Sequence, residues 1–107
     1  SARPVASRLV TAPFDDADAA AELARGCDVV TLEIEQIAPT ALEAAARHAP
    51  VRPGAGAVWI VQDRVRQKDW LAEHAFPVGP FRHAESAADV AEAAGAFGPS
   101  IVKAAHG

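Results

Sequence analysis

Apolar and polar positions alternate along the first third of the chain in a way that predicts strand, helix and strand in turn. Residues 7–10 (SRLV) precede a breaker and predict a short strand. Residues 19–25 follow a group of aspartates, which favour the positive end of a helix, and Gly26 can end that helix. Residues 28–35 (DVVTLEIE) are β-branched and apolar at their centre, which is typical of a strand buried on both faces.

Two further helices are predicted after this strand. Pro39 can occupy the first position of a helix that continues through residues 40–48 and stops at Pro50. After a turn-rich joint, residues 57–75 carry apolar side chains at helical spacing and predict one long amphipathic helix.

The last third of the chain predicts one more helix and one more strand. Ser86 and Asp89 have the spacing of a capping box, in which each residue bonds to the other at a helix start. Residues 100–104 (SIVKA) predict a buried strand that ends in a lysine. Alternating strands and helices predict an α/β fold with a mainly parallel sheet.

Composition narrows the class of protein. The chain has 107 residues, half of them hydrophobic, which is enough for one modest core. The net charge of −4 comes without a cationic block, so we expect no nucleic-acid partner. No apolar run approaches the roughly 18 residues of a spanning helix, and we expect no membrane partner. Cys27 is the only cysteine, which fits a reducing compartment, and we expect a cytoplasmic location.

Glu33 and Glu35 are the first candidate site. If residues 28–35 form a strand, side chains two positions apart project from the same side near its carboxyl end. Ligands of open α/β sheets gather beyond the carboxyl ends of the strands. The alternative is that the strand has already frayed into a loop and that both carboxylates are simply solvated.

Three cations form the second candidate site. Arg64 and Lys68 are four residues apart and share a helix face, and Lys103 ends the last predicted strand. Arginine binds phosphate oxygens through a planar fork, and lysine neutralises them as a point charge. A buried lysine stem needs a counter-anion or a path to solvent. The alternative for the two helix cations is pairing with carboxylates on the same surface, namely Asp63, Asp69 or Glu73.

Four segments together resemble a known family. They are VVTLEIEQIAPTALE, PVRPGAGAVWIVQDRVRQKDWL, FPVGPFR and SIVKAAHG. In order and spacing they are similar to the N5-carboxyaminoimidazole ribonucleotide synthetases, a family of ATP-grasp ligases in purine biosynthesis. Each motif alone has little specificity, but the succession covers nearly the whole chain.

The resemblance implies roles for individual residues. Arg64 and Lys103 match the family's contacts with the phosphates of ATP, while Glu33, and with it Glu35, lies near the aminoimidazole ribonucleotide site. The implied reaction is phosphorylation of bicarbonate by ATP to carboxyphosphate, followed by transfer of the carboxyl group to the substrate amine. Magnesium accompanies the ATP phosphates. The resemblance assigns no catalytic residue and no metal ligand to this chain.

The resemblance also implies a domain organisation. Residues 1–78 correspond to the remainder of a Rossmann-like pre-ATP-grasp domain with a parallel sheet, and residues 79–107 correspond to the first elements of the ATP-grasp domain. We therefore expect an internal N-terminal segment of the enzyme that is inactive alone. The implied partners are small molecules, namely ATP, bicarbonate and aminoimidazole ribonucleotide, together with a second copy in a homodimer.

Two other functions are compatible with the sequence. A sister ATP-grasp ligase, formate-dependent glycinamide ribonucleotide transformylase, has a similar E-I-E and I-V-K framework. A non-catalytic α/β binding or dimerisation module that kept the scaffold and lost the active site is the alternative of a different class.

Overall fold

The computed structural model describes residues 5–106. The chain forms two compact units, Ser1–Trp59 and Ile60–Gly107, called unit 1 and unit 2 below. In chain order the helices and strands are α1 (Ala17–Ala24), β1 (Val30–Thr31), α2 (Pro39–Ala46), β2 (Val51–Arg52), α3 (Ala55–Val61), α4 (Arg64–Glu73) and α5 (Ala87–Phe97).

The sheet of unit 1 consists of two parallel strands. Val30 of β1 lies opposite Val51 of β2, and Thr31 lies opposite Arg52. The N–H of Val30 also donates to the carbonyl of Pro50 over 2.9 Å. Parallel strands need a crossover connection, which α2 provides here. The predicted α/β class with a parallel sheet is confirmed.

The core of unit 1 is small because six of the nine buried apolar residues in the described part of the chain are alanines. Leu42 of α2 is 3% exposed and Val58 of α3 is 1% exposed, and these two supply much of its bulk. Partly buried apolar side chains from β1 and the loops complete the packing. The buried members of the cluster are Ala24, Leu42, Ala45, Ala49, Val51 and Val58.

The two helices predicted for this unit form: α1 begins two residues earlier than predicted, and α2 begins at Pro39 as predicted but ends two residues earlier, at Ala46. The carboxylate of Asp16 accepts a hydrogen bond from the N–H of Ala19 over 2.9 Å and so caps α1. Pro39 is the first residue of α2, where its missing N–H costs nothing because that group has no intrahelical partner. Both starts are therefore decided by local chemistry.

The strands differ from the prediction. Of the strand predicted over residues 28–35, only Val30–Thr31 forms, and residues 7–10 form no strand. The sequence also missed β2, which lies in the stretch interpreted as a joint. The ladder is short because β1 pairs with β2 alone within residues 5–106, and Pro53, which follows β2, has no N–H to donate.

The long helix predicted over residues 57–75 is instead two helices, α3 and α4. The backbone of Asp63 is extended, with φ of −126° and ψ of 120°, so the helix stops before it. Its carboxylate then accepts hydrogen bonds from the N–H groups of Val65 and Arg66 and starts α4. After α4, Ala75 takes a left-handed conformation with φ of 58°, and the N–H of Phe76 donates to the carbonyl of Leu71 over 2.9 Å.

The helix predicted after Ser86 is confirmed as α5. The N–H of Asp89 donates to Oγ of Ser86, and the N–H of Ser86 donates to Oδ2 of Asp89, so both halves of the capping box form. The helix ends at Gly98, whose φ of 72° is easily reached only by glycine.

The strand predicted over residues 100–104 does not form, and the prediction that it is buried is wrong. Ile101 is 84% exposed and Val102 is 69% exposed. Within the described part of the chain this stretch has no neighbouring strand, and an extended segment without a partner cannot satisfy its backbone groups by pairing. No residue of unit 2 within positions 60–106 is buried.

A candidate phosphate-binding site

The carboxylate of Asp63 organises the N-terminus of α4. Its Oδ1 accepts hydrogen bonds from the N–H of Val65 at 2.8 Å and from the N–H of Arg66 at 3.0 Å. Its Oδ2 lies 3.9 Å from the guanidinium of Arg66. A short acidic side chain at this position satisfies backbone donors that have no partner inside the helix.

The remaining N–H at the start of α4 is also occupied. The N–H of Arg64 donates to the carbonyl of Ala105 over 2.9 Å, and the N–H of Gln67 makes the first intrahelical bond, to the carbonyl of Asp63. The first three N–H groups of the helix therefore all have partners. A phosphate approaching this helix end would have to be bound by side chains rather than by the backbone.

The bond between Arg64 and Ala105 brings the end of unit 2 to this helix. A second contact lies beside it, because Nε2 of His106 is 3.4 Å from Oδ2 of Asp63. Lys103 precedes Ala105 by two residues, which corresponds to about 7 Å of extended chain. The structure thus places the lysine-bearing segment next to the start of α4, although the strand predicted there is absent.

Arg64 and Lys103 both expose their side chains. Neither forms an ion pair with any residue between positions 5 and 106. The alternative that Arg64 only pairs with a neighbouring carboxylate is therefore not what the structure shows. Two uncompensated cations on adjoining segments are suited to binding a multivalent anion.

Lys68 takes neither of the predicted roles. Its Nζ lies 5.8 Å from the ring centroid of Phe81, which is within the range of a cation–π interaction. Asp69, one of its candidate partners, instead lies 3.2 Å from Nε2 of His83. Lys68 and Asp69 therefore contact the connector between α4 and α5.

The pKa of Asp63 lies below its ordinary value of 3.8. The hydrogen bond from the N–H of Arg66 is the largest cause, and the N–H of Val65 and the charges of His106 and Arg66 act in the same direction. Partial burial opposes them by raising the pKa, but by less than they lower it together. Asp63 is therefore ionised near neutral pH and can hold a positive partner.

Glu33 and Glu35 lie in unit 1, in the loop between β1 and α2, and both are exposed. Because β1 ends at Thr31, the two-residue alternation of a strand does not determine where their side chains project. The carbonyl of Glu35 accepts a hydrogen bond from the N–H of Ile37 over 2.8 Å, which forms a tight turn shortly before α2. The strand has thus ended before both glutamates, as the alternative to the predicted site described, and their role in binding a ligand stays a prediction.

The sequence analysis missed Asp63 and His106. The signal for Asp63 was present, since aspartate is a preferred helix cap, but the continuous apolar spacing of residues 57–75 concealed the break. His106 gave no local signal, because its partner is far away in the sequence.

Among residues 5–106 no three His, Cys, Asp or Glu side chains come close enough together to hold a metal ion. Over that range there is also no helix with the length and apolar character needed to cross a membrane.

The chain is similar to curated proteins named N5-carboxyaminoimidazole ribonucleotide synthase. It is 37% identical over 97 residues to the protein of Brucella melitensis, which covers 91% of this chain and 27% of that protein. It is 32% identical over 106 residues to a Staphylococcus aureus protein of the same name, covering 98% of this chain and 28% of the relative. The chain therefore spans about 27% of the length of these relatives.

Solved structures show the same likeness. The Staphylococcus aureus N5-carboxyaminoimidazole synthetase complexed with ADP superposes with a TM-score of 0.81 at 32% identity, over 98% of this chain and 29% of that one. The Aspergillus clavatus enzyme in complex with ADP and 5-aminoimidazole ribonucleotide superposes with a TM-score of 0.75 at 30% identity, over 91% and 27% of the two chains.

A family model covers the first part of the chain. Its description is "Ribonucleotide synthetase preATP-grasp domain", and it matches residues 1–62. The matched range contains both strands, the core of unit 1 and the loop with Glu33 and Glu35. By this match, and in agreement with the parallel α/β architecture, the chain belongs to the ribonucleotide synthetase preATP-grasp domain family.

Proposed function

We propose that this chain contributes phosphate-binding and substrate-binding residues to an ATP-dependent ligase that carboxylates 5-aminoimidazole ribonucleotide. The observation that carries the proposal is the pair of uncompensated cations, Arg64 and Lys103, on segments joined by the bond between Arg64 and Ala105. Relatives that bind ADP and the ribonucleotide match 90% or more of this chain, which supports the same ligand classes.

In the proposed reaction ATP supplies the phosphoryl group, and the protein positions the phosphates and neutralises their charge. Bicarbonate attacks the γ-phosphorus of ATP, the bond to the β-phosphate oxygen breaks, and ADP leaves with carboxyphosphate formed. The exocyclic amine of the ribonucleotide then attacks the carboxyl carbon, releasing inorganic phosphate and a proton. Arg64 would hold phosphate oxygens through its planar guanidinium and Lys103 would neutralise their charge, which lowers the barrier by positioning and electrostatics.

Glu33 and Glu35 are proposed to face the ribonucleotide. A carboxylate can accept hydrogen bonds from the substrate's amine or ribose hydroxyls, and both glutamates are exposed in the loop after β1. Magnesium belongs to the proposal as the ion that accompanies ATP. The described residues offer no cluster for it, so no step is assigned to a magnesium ligand of this chain.

Three wider features belong to the same proposal. Residues 1–78 would form pre-ATP-grasp structure and residues 79–107 the start of the ATP-grasp domain. The protein would act in the cytoplasm and as a homodimer, and the large exposures of Ile101 and Val102 support association. Because the chain spans about 27% of its relatives, we propose that these residues alone do not turn over ATP.

The alternatives are weaker on the same observations. The curated relatives described above carry the name of the carboxylating enzyme, which favours it over the formate-dependent transformylase. A non-catalytic module would have no need of two exposed, uncompensated cations on adjoining segments.

A chimera tests the proposal. The matching segment of the Staphylococcus aureus enzyme is replaced with residues 1–106, and ATP-dependent carboxylation of the ribonucleotide is measured. We expect turnover, and we expect Arg64→Ala and Lys103→Ala each to raise the KM for ATP by about tenfold or more, since each removes a charge-assisted contact.

Arg47→Ala is the matched control, because Arg47 is an exposed arginine after α2 in unit 1, and it should leave the KM for ATP unchanged. A folded chimera that carboxylates equally well with Arg64→Ala and Lys103→Ala combined would refute the phosphate role. A folded chimera that binds ADP but never carboxylates would favour the non-catalytic module.

A further inference from the structure

The segment that carries Lys103 has few attachments. Within the described range, Oγ of Ser100 donates to the carbonyl of Gly98, which is a local bond that does not fix the segment to α4. The two longer-range contacts are the bond from the N–H of Arg64 to Ala105 and the pair of Asp63 with His106. The placement of Lys103 therefore depends on the two contacts that follow it in the sequence.

Asp63 is well suited to serve as the fixed half of the second contact. Its side chain is only 16% exposed, and its Oδ1 is held by two backbone donors of α4. Oδ2, which also lies 3.9 Å from the guanidinium of Arg66, faces Nε2 of His106 at 3.4 Å. Because this carboxylate is already held in place, its pairing with a cation costs little further side-chain conformational entropy.

His106 is the exposed half of the contact. Its side chain is 72% exposed, so the pair is partly screened by water and must be weak. The charged groups facing it are the carboxylate of Asp63 and, behind it, the guanidinium of Arg66, while Arg64 contacts the same segment through its backbone. Histidine pairs with the carboxylate as an ion only when it is protonated.

We propose that His106 is a positioning residue: its ion pair with Asp63 closes the segment 103–106 onto the start of α4 and thereby holds Lys103 beside Arg64. This inference rests on the proposed function, since the position of Lys103 matters to the reaction only if Lys103 binds phosphate.

Amide hydrogen exchange in the full 107-residue chain tests the contact without any nucleotide. The N–H of Arg64 reports on the closed segment because its acceptor is the carbonyl of Ala105. We expect His106→Ala to reduce the protection of this amide by about two- to fivefold, as suits a weak surface pair.

Conservative variants separate positioning from general loss of structure. His106→Gln keeps a hydrogen-bond donor without a charge, so part of the protection should remain. Asp63→Asn keeps a good helix cap but removes the charge, so the amides of Val65 and Arg66 should stay protected while the Arg64 amide loses part of its protection. His48→Ala is the matched control, because His48 is an exposed histidine of unit 1.

The inference is overturned if His106→Ala leaves the protection of the Arg64 amide unchanged while the Val65 and Arg66 amides show that α4 is intact. It is equally overturned if Asp63→Asn leaves the protection of the Arg64 amide unchanged while the Val65 and Arg66 amides stay protected. The chimera described above tests phosphate binding separately, so failure of the ligase proposal and failure of the contact at His106 give different results.

Discussion

Ser86 and Asp89 bond to each other in both directions at the start of α5. The N–H of Asp89 donates to Oγ of Ser86 over 3.2 Å, and Oδ2 of Asp89 accepts from the N–H of Ser86 over 2.9 Å. The same carboxylate oxygen accepts from the N–H of Glu85 at 2.9 Å. These bonds favour the ionised carboxylate and hold the pKa of Asp89 below its ordinary value of 3.8, the bond from Glu85 contributing most.

The lowered pKa predicts acid fraying of α5. The stabilisation is fully present above pH 3.8 and is lost as the pH falls through the lower pKa of the folded state. We expect the amides of Glu85 and Ser86 to lose exchange protection in that range, measured by NMR. Asp89→Asn should remove this acid dependence and leave that of the Asp63 cap on α4 in place. Protection at Glu85 and Ser86 that persists at pH values far below 3.8 would contradict the prediction.

The alanine-rich core of unit 1 makes its stability depend on few side chains. Leu42 is 3% exposed, so Leu42→Ala should lower the free energy of unfolding by about 2 to 5 kcal/mol. Leu23→Ala is the matched control, because Leu23 is 37% exposed and should cost less than about 1 kcal/mol. Urea unfolding followed by far-ultraviolet circular dichroism measures both. Equal losses for the two variants would show that Leu42 does not pack as described.

The two candidate binding regions should be separable by kinetics in the chimera. Glu33→Gln keeps the size of the side chain and removes its charge, so we expect about a tenfold increase in the KM for aminoimidazole ribonucleotide with the KM for ATP unchanged. Glu43→Gln, which changes an exposed glutamate of α2, should alter neither constant. If Glu33→Gln changed only the KM for ATP, the proposed contact of Glu33 with aminoimidazole ribonucleotide would be contradicted.

Self-association is expected from the exposed apolar side chains of unit 2. Ile101 and Val102 are adjacent and 84% and 69% exposed, which is unfavourable in water unless another surface covers them. Sedimentation velocity should therefore show a dimer at micromolar concentration, and Ile101→Ser combined with Val102→Ser should shift it to monomer. Val5→Ser is a control, because Val5 is 88% exposed in unit 1 and should leave the dimer intact. A parent chain that remains monomeric throughout would contradict the proposed homodimer.

Apart from the single long helix predicted over residues 57–75, the helices were predictable, whereas most of the sheet was not, for a physical reason. Pro39 and the Ser86–Asp89 pair determine helix starts through bonds within a few residues, so their patterns carry the information. A strand exists only where a partner lies beside it, and the apolar runs at 7–10 and 100–104 have none in the described range. Their apolar residues are evident in the sequence, but whether they pair into a sheet depends on non-local structure.

The candidate site, too, could be predicted only where the signal is local in the sequence. The residue types of Arg64 and Lys103 suggested phosphate chemistry because a fork and a point charge suit that anion. The bond between Arg64 and Ala105 and the contact of Asp63 with His106 join positions far apart in the sequence, so no local pattern could predict them. Asp63 was an exception, since its capping signal was visible but was overridden by the apolar spacing around it.

The occupied N–H groups at the start of α4 affect how easily mutation can change anion binding there. Where a backbone loop binds phosphate, most substitutions leave the donors in place, because every residue except proline supplies the same N–H. Here those donors are already bonded to Asp63 and Ala105, so any anion held at this helix end depends on side chains. Recognition of that kind can be lost, or retuned towards another anion, by changing a single codon.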